Sequence, residues 1–373
     1  MWDRCRDGFG TFCSVVIKYI GSKRELVPII VKIVTNLTGV RSVLDPFSGT
    51  ARVGHALKRE QFAVVATDHN AYAATLATCY VQSDREKVEK RARRLIADLN
   101  RLPPKPGYFT QTFCVQANYF MPKNGERIDA IREAIEKKDL DRKLKAVVLT
   151  SLMEAADRVD STTGLQMAYL KQWAPRASNP IELRLPDLLP RATCGPGKAY
   201  QLEAQKAAER FAVDLAYVDP PYNQHSYLGN YHIWESLVLW DKPEVYGVAN
   251  KRIDCRERRS DFNSKRRFKP AFQSLLSTLR ANYLLVSFNN EGYISKTELY
   301  DILRTIGEIV IFEVDYKRYV GAQIGIYSPK GIKVGKISHL RNKEYLFLCG
   351  PHLATRDWQK RMHPDSGVRI VDA

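Results

Sequence analysis

Asp219-Pro220-Pro221-Tyr222 follows directly on the apolar run Leu215-Ala216-Tyr217-Val218. A carboxylate, two prolines and an aromatic ring at the end of a strand make a stiff, shallow cup. Pro221 has no N–H and fixes its own φ, so the cup holds its shape. The combination suits a planar base with an exocyclic amino group. The Asp219 carboxylate can accept one amine N–H, the Pro220 carbonyl the other, and the Tyr222 ring can stack on the base. The plainer alternative is that Pro-Pro simply ends a strand.

A second constellation lies upstream. Asp45-Pro46-Phe47-Ser48-Gly49 ends the short β-branched run Arg41-Ser42-Val43-Leu44, and Thr50 opens a helical pattern through Val53, Ala56 and Leu57. No G-x-G-x-x-G is present. An acid at this strand end is badly placed for a pyrophosphate and well placed near a cation such as an ammonium. Asp68, 23 residues past Asp45, closes the strand-like run Phe62–Ala66, where an acid accepts ribose hydroxyls. The implied ligand is a nucleoside with a positively charged tail. S-adenosylmethionine fits that description and NAD fits it less well. Both acids also have an alternative as turn or capping residues.

Positioning these groups requires strand, tight turn, helix and second strand, the first half of a doubly wound α/β sheet. One helix is expected over 69–100, and Leu102-Pro103-Pro104-Lys105-Pro106-Gly107 marks a boundary. From about 118 to 190 the chain changes character: Ile128, Ile131 and Ile135 recur at helical spacing, Ala146–Val159 reads as a buried helix, and Pro180, Pro186, Pro190, Pro196 and Gly197 then break structure. Strand-like runs resume at Ala199–Leu202, Leu215–Val218, Tyr283–Phe288, Ile309–Val314 and Tyr345–Cys349. The expected organisation is an α/β sheet of parallel type over 1–100 and 198–373, split by a mainly helical insertion over 101–197. Residues 1–14 read as a disordered extension.

With a net charge of +17 and a pI near 9.5, the 373-residue chain favours a polyanionic partner. Lys251–Lys269 holds nine Lys or Arg against three acids, net +6. Arg258, Arg259, Lys265, Arg266 and Arg267 in this stretch are candidates for phosphate contact, with a merely solvated loop as the alternative. Within the insertion, Arg158, Lys171, Gln172, Trp173 and Arg176 are candidate groove contacts, and Arg158 reads equally well as a structural ion-pair partner. The residues from Asn223 to Trp234, polar and aromatic, read as a loop over the bound base; for Tyr231 and Trp234 the alternative is a place in the core. Seven dispersed cysteines without a Cys-x-x-Cys pair point to free thiols in a reducing cytoplasm. The histidines lack metal spacing, so no metal is expected. No apolar run reaches the roughly 18 residues of a membrane span, and the N-terminus does not resemble a signal peptide.

Taken together, these motifs resemble the alpha group of DNA adenine-N6 methyltransferases, the group that includes the bacterial Dam enzymes. The order matches over roughly 17–350: Lys18-Tyr19-Ile20-Gly21-Ser22-Lys23, then Asp45–Gly49, then the insertion, then Asp219–Tyr222. The resemblance implies a Rossmann-like S-adenosylmethionine-dependent methyltransferase sheet with the insertion as target-recognition domain. Tyr19, Gly21 and Lys23 would hold the methionine end of S-adenosylmethionine, Asp45, Phe47 and Gly49 the donor loop, and Asp68 the ribose. Asp219, Pro220 and Tyr222 would hold an adenine flipped out of double-stranded DNA. A cognate restriction endonuclease and a nucleoid-associated, cytoplasmic setting in a prokaryote follow from the same resemblance. Two positions depart from the pattern. Ala51 stands where a second glycine is usual, so the loop is expected to avoid positive φ there. Glu203-Ala204 stands where Asp-Ala is common, which makes Glu203 a candidate contact to the adenine edge of the donor. The alternatives are an RNA or protein-amide N-methyltransferase on the same fold, and a non-catalytic DNA-binding protein.

Overall fold

The computed structural model describes residues 17–317, 341–362 and 367–372. The expected N-terminal extension, 1–14, lies outside the described residues. Along the chain, α1 (Val27–Thr35) precedes β1 (Ser42–Asp45), α2 (Arg52–Arg59), β2 (Ala63–Asp68), α3 (Ala71–Ala77) and α4 (Arg85–Asn100). A short turn α5 (Tyr108–Thr110) leads to α6 (Pro122–Glu136) and α7 (Arg142–Arg158). There follow β3 (Lys198–Gln201), α8 (Ala204–Arg210), β4 (Ala212–Val218), α9 (Tyr227–Asn230) and α10 (His232–Leu239). Two short strands, β5 (Val245–Tyr246) and β6 (Lys251–Arg252), pair antiparallel before α11 (Lys265–Thr278) and β7 (Arg280–Asn289). The chain ends with α12 (Lys296–Leu303), β8 (Glu308–Lys317), β9 (Arg341–Gly350), α13 (Thr355–Arg361) and β10 (Val368–Val371).

Two compact units divide the chain. The first contains the residues up to Val31, Ser48–Gln201 and Tyr231–Ile253; the second contains Lys32–Phe47, Leu202–Asn230 and the chain from Asp254 on. Within the first unit, β2 and β3 run parallel with Asp68 opposite Gln201. Gly54 lets α2 close on its neighbours, because a Cβ there would lie 2.9 Å from Val81 Cγ2. The expected single helix over 69–100 is two helices. A π-turn at Thr78–Gln82 ends the first, and Ser83 Oγ and N both donate to Thr78 O. Asp84 is turned inward, where it meets the buried Lys58 ammonium at 3.3 Å. An uninterrupted helix would leave that buried cation without its carboxylate. α7 starts where Asp141 accepts the N–H groups of Lys143 and Leu144. Arg132 on α6, itself buried, donates to the carbonyls of Leu237 and Val238 at the end of α10.

The second unit holds a six-stranded arrangement ordered β10-β8-β9-β7-β4-β1. β1, β4 and β7 are parallel, as the strand and helix pattern predicts. β9 differs: it runs antiparallel to both β7 and β8, and β10 antiparallel to β8. Antiparallel neighbours need no crossover helix, so the parallel expectation fails at this edge. Leu215 to Val218 are fully buried, which suits a central parallel strand covered on both faces. Phe268, Phe272 and Leu275 of α11 pack with Val286 and Phe288 of β7 in the main apolar cluster. Each such phenylalanine contributes about 1.5–3 kcal/mol by leaving water. Among the described residues, no helix is long and apolar enough to cross a membrane.

Candidate active site

The first unit positions Tyr19, Gly21, Lys23, Gly49 and Asp68. Gly49 has φ +49°, the left-handed region that glycine tolerates best, and its N–H donates to Asp68 Oδ2 at 3.1 Å. A side chain at 49 would press on Tyr19, with Cε1 3.3 Å from the added Cβ. Asp68, 8% exposed at the end of β2, also accepts Asn70 N–H at 2.9 Å through Oδ1. Burial pushes its carboxyl up, against the lowering by nearby His69 and the two backbone N–H groups. Tyr19 donates or accepts a 3.1 Å hydrogen bond with Tyr72 OH. Gly21 has φ +71°, and Lys23 is buried with its carbonyl accepting Leu26 and Val27 N–H at the start of α1.

Ala51 corrects one expectation. It has φ +59° and adopts the left-handed conformation that was expected to be avoided there. Its N–H donates to Ser48 O at 2.6 Å and its carbonyl accepts His55 N–H, so it both closes the turn and starts α2. A non-glycine residue pays roughly 1–2 kcal/mol for that conformation. The tight turn is therefore kept without the second glycine.

Asp45, Phe47, Glu203 and the Asp219–Tyr222 motif belong to the second unit. β1 and β4 pair with Val43 opposite Leu215 and Leu44 opposite Ala216. Asp45 and Asp219 consequently leave the carboxyl ends of neighbouring parallel strands, where open α/β sheets bind ligands. Asp45 is buried and accepts Phe47 N–H at 3.3 Å. Phe47 meets Phe262 edge-on at 5.0 Å. Glu203 is exposed at the N-cap of α8, with its carbonyl accepting Ala207 N–H. Pro220 is buried, while Asp219 and Tyr222 are half-buried. The Tyr222 ring lies 5.6 Å from Phe288, and its carbonyl accepts Tyr293 N–H.

Two residues that sequence reasoning missed fix the segment after the motif. Asn263 Nδ2 donates to the carbonyls of Asn223 and His225, and Tyr293 OH donates to Asn263 O. Neither stands in a motif, and only the folded second unit brings them there. The expected loop over the base is also revised. Asn223–Ser226 is irregular, but Tyr231 and Trp234 are buried in the first unit, so the core alternative applies to them, and His232 is buried there as well.

The basic candidates divide by environment. Arg158 donates to Glu182 O at 2.6 Å, and burial holds its guanidinium below the usual arginine range. Arg176 binds Asp160 Oδ1 through Nε and Nη2 and also Thr162 O. Lys171 is exposed. Arg258 lies 3.4 Å from Asp254, Arg259 donates to Arg256 O, and Arg267 pairs with Asp261 at 3.0 Å. Lys265 and Arg266 are exposed in the first turn of α11. Among the described residues, no group of His, Cys, Asp and Glu could hold a metal ion.

Comparison with known proteins decides what this arrangement belongs to. The family described as D12 class N6 adenine-specific DNA methyltransferase matches residues 19–302. The chain belongs to this family. It is 30% identical to type II methyltransferase M.NlaIII of Neisseria lactamica, over 88% of this chain and 100% of that protein. It is 28% identical to modification methylase StsI of Streptococcus sanguinis, over 81% of this chain and 49% of that protein. It is likewise 28% identical to type II methyltransferase M.FokI of Planomicrobium okeanokoites, over 81% of this chain and 50% of that protein. The protein is thus an α/β enzyme with a Rossmann-like methyltransferase fold, and it methylates adenine in DNA at specific sites.

Proposed function

We propose that S-adenosylmethionine is the methyl donor, held by Tyr19, Gly21, Lys23, Asp45, Phe47, Gly49, Asp68 and Glu203, and that Asp219, Pro220 and Tyr222 hold a flipped adenine. One observation carries this reading: Asp45 and Asp219 leave the carboxyl ends of paired parallel strands. The donor-side residues fit the ligand chemically. Asp68 is a buried acceptor suited to ribose hydroxyls, and Asn70 Oδ1 and Ser48 Oγ are buried polar atoms without a partner among the described residues. When bound, S-adenosylmethionine supplies an already activated sulfonium methyl.

The chain's own task is orientation and charge placement. The N6 lone pair of adenine is delocalised into the ring, so the amine is a weak nucleophile. The Asp219 carboxylate and Pro220 carbonyl accept its two hydrogens and favour a localised lone pair. Tyr222 stacks on the base, offsetting part of the few kcal/mol that unstacking costs. Alignment then supplies much of the rate.

The DNA-facing groups are Lys171 and Arg176 of the 101–197 insertion, taken as the recognition domain, together with Arg258, Arg259, Lys265, Arg266 and Arg267; Arg158, bonded to Glu182 O, takes the structural alternative instead. Lys265, Arg266 and Arg267 stand in the first turn of α11. A helix dipole disfavours cations there by about 0.3–1 kcal/mol each, which supports phosphate contact for Lys265 and Arg266, while Arg267 also pairs with Asp261. The relatives' names as type II methyltransferases and modification methylases support a partner restriction endonuclease; double-stranded DNA as substrate and a prokaryotic cytoplasm are part of the same proposal.

Expression in a host that does not methylate its DNA, followed by mapping of modified adenines, tests the reading. N6-methyladenine at one recurring sequence is expected, and its loss in Asp219→Ala. Methyl transfer to structured RNA in preference to duplex DNA would overturn it.

A further inference from the structure

The start of α10 carries two side chains that reach back to the donor-side motifs of the first unit. Glu235 is fully buried, and its two carboxylate oxygens accept the N–H groups of Ala71 at 3.1 Å and Tyr72 at 3.0 Å. These are donors in the first turn of α3, which no intrahelical carbonyl can satisfy. The N-cap of α3, Asn70, makes no side-chain capping bond, so Glu235 does from another helix what a cap would do. What it fixes is the chain immediately beyond Asp68, whose Oδ1 is bonded to Asn70 N–H.

Tyr231, one helical turn earlier, acts on the N-terminal motif. Its hydroxyl accepts Ile20 N–H at 2.5 Å, and its ring stacks on Tyr19 with centroids 4.5 Å apart and planes 13° apart. Tyr19 and Tyr72 share a hydroxyl–hydroxyl bond of 3.1 Å, and Glu235 N–H donates to Tyr231 O. Tyr19, Tyr72, Glu235 and Tyr231 therefore form a closed circuit, with Gly49 against the Tyr19 ring and Asp68 two residues before Asn70.

We propose that Tyr231 and Glu235 are positioning residues for the methyl donor: Tyr231 sets the place of Tyr19 and Ile20, and Glu235 sets α3 and through it Asp68. The proposal rests on the reading of Gly49 and Asp68 as donor-binding. A buried carboxylate is a costly device for stability alone, because its desolvation offsets much of what its hydrogen bonds return. Its two bonds are directed at the one helix end that follows the donor-side acid.

Two mild substitutions test this: Glu235→Gln keeps the shape and replaces one acceptor oxygen by a donor, and Tyr231→Phe keeps the ring and removes the acceptor. Titration calorimetry with S-adenosylmethionine is expected to show binding weakened by about tenfold in Glu235→Gln and by a smaller factor in Tyr231→Phe. In steady state the KM for the donor rises by more than kcat falls, and duplex DNA affinity stays within about twofold of wild type. Unchanged donor affinity in folded variants overturns the proposal, even if the melting temperature falls. If Glu235→Gln does not fold, the Tyr231→Phe titration decides on the same criterion. Asp68→Ala separates the two readings: wild-type donor affinity in that variant would defeat the donor-site assignment itself, whatever Tyr231 and Glu235 do.

Discussion

The turn that receives Asp68 and the turn that carries Asp219 both end a parallel strand in an aspartate, but they are stiffened by different means. Asp68 is buried, and two backbone N–H groups hold its carboxylate, one of them from a left-handed glycine. Asp219 is half-buried in a turn stiffened by Pro220 and Pro221, and Tyr222 is fixed through its carbonyl and its packing on Phe288. Hydrogen bonds to a buried carboxylate suit a small ligand whose hydroxyls always arrive in the same place. A flipped base, the occupant proposed for this cup, needs a rigid site that stays accessible, and the prolines give rigidity while Asp219 and Tyr222 stay half-buried.

The largest expected effect breaks the cup and spares the donor side. Asp219→Ala should lower kcat by at least about 100-fold, the scale seen when a preorganised charge-stabilising group is removed. Because Asp219 is half-buried, the melting temperature and S-adenosylmethionine affinity should stay close to wild type. Initial rates with labelled donor, calorimetry and a thermal melt check all three. Residual activity near wild type would remove Asp219 from the clamp.

The converse variant is Gly49→Val. The left-handed backbone costs about 1–2 kcal/mol with any Cβ, and a β-branched side chain adds a clash with Tyr19. Donor affinity should fall about tenfold or more, while duplex DNA affinity, measured by fluorescence anisotropy, is retained. Equal losses of both affinities would erase the distinction between the two turns.

These two turns were legible in the sequence because each is local. Asp-Pro-Pro-Tyr and Asp45–Gly49 carry their geometry in consecutive residues, and the apolar runs before them are strands as expected. What was illegible depends on partners far along the chain. Ala51 is the local exception: it takes a glycine's conformation because the Ser48 turn and the start of α2 impose it. The break at Ser83 answers to Lys58, and the anchoring of Asn223 answers to Asn263, 40 positions away. β9 reads as an ordinary strand, and its reversed direction leaves no mark in its own residues. Charge misleads for the same reason: Arg158 and Arg266 look alike in sequence, and only one of them is tied to a neighbouring carbonyl by burial.

That contrast gives a third test with a smaller effect. Replacing both Lys265 and Arg266 by alanine should weaken duplex binding and reduce the slope of log affinity against log salt by about 2. Arg158→Ala should leave the slope near wild type and lower the melting temperature instead, since it strips a hydrogen bond from a half-buried site. A slope change in Arg158→Ala as large as in the double variant would move Arg158 to the DNA surface.

The smallest effect concerns a buried carboxylate of the first unit that lies outside the donor-side set. Glu154 is bonded by Tyr80 OH, and burial, exceeding the opposing effects of that bond and of Arg158, pushes its carboxyl up to about 7 from the ordinary 4.5. The native state therefore holds a proton that the unfolded chain releases. Stability from this group is complete below about pH 4.5 and is lost as pH rises through about 7. Glu154→Gln is neutral throughout, so its melting temperature should gain on wild type between pH 5.5 and pH 8, by a few degrees at the upper end. Using the difference between the two proteins cancels the titration of groups that do not interact with Glu154; Asp157, whose charge helps raise Glu154, moves with it. Donor affinity should not change in this variant, in contrast to Asp68→Ala. Parallel melting profiles would mean that Glu154 stays ionised in the native protein, and that burial alone does not distinguish it from Asp68, the acid proposed to serve the donor.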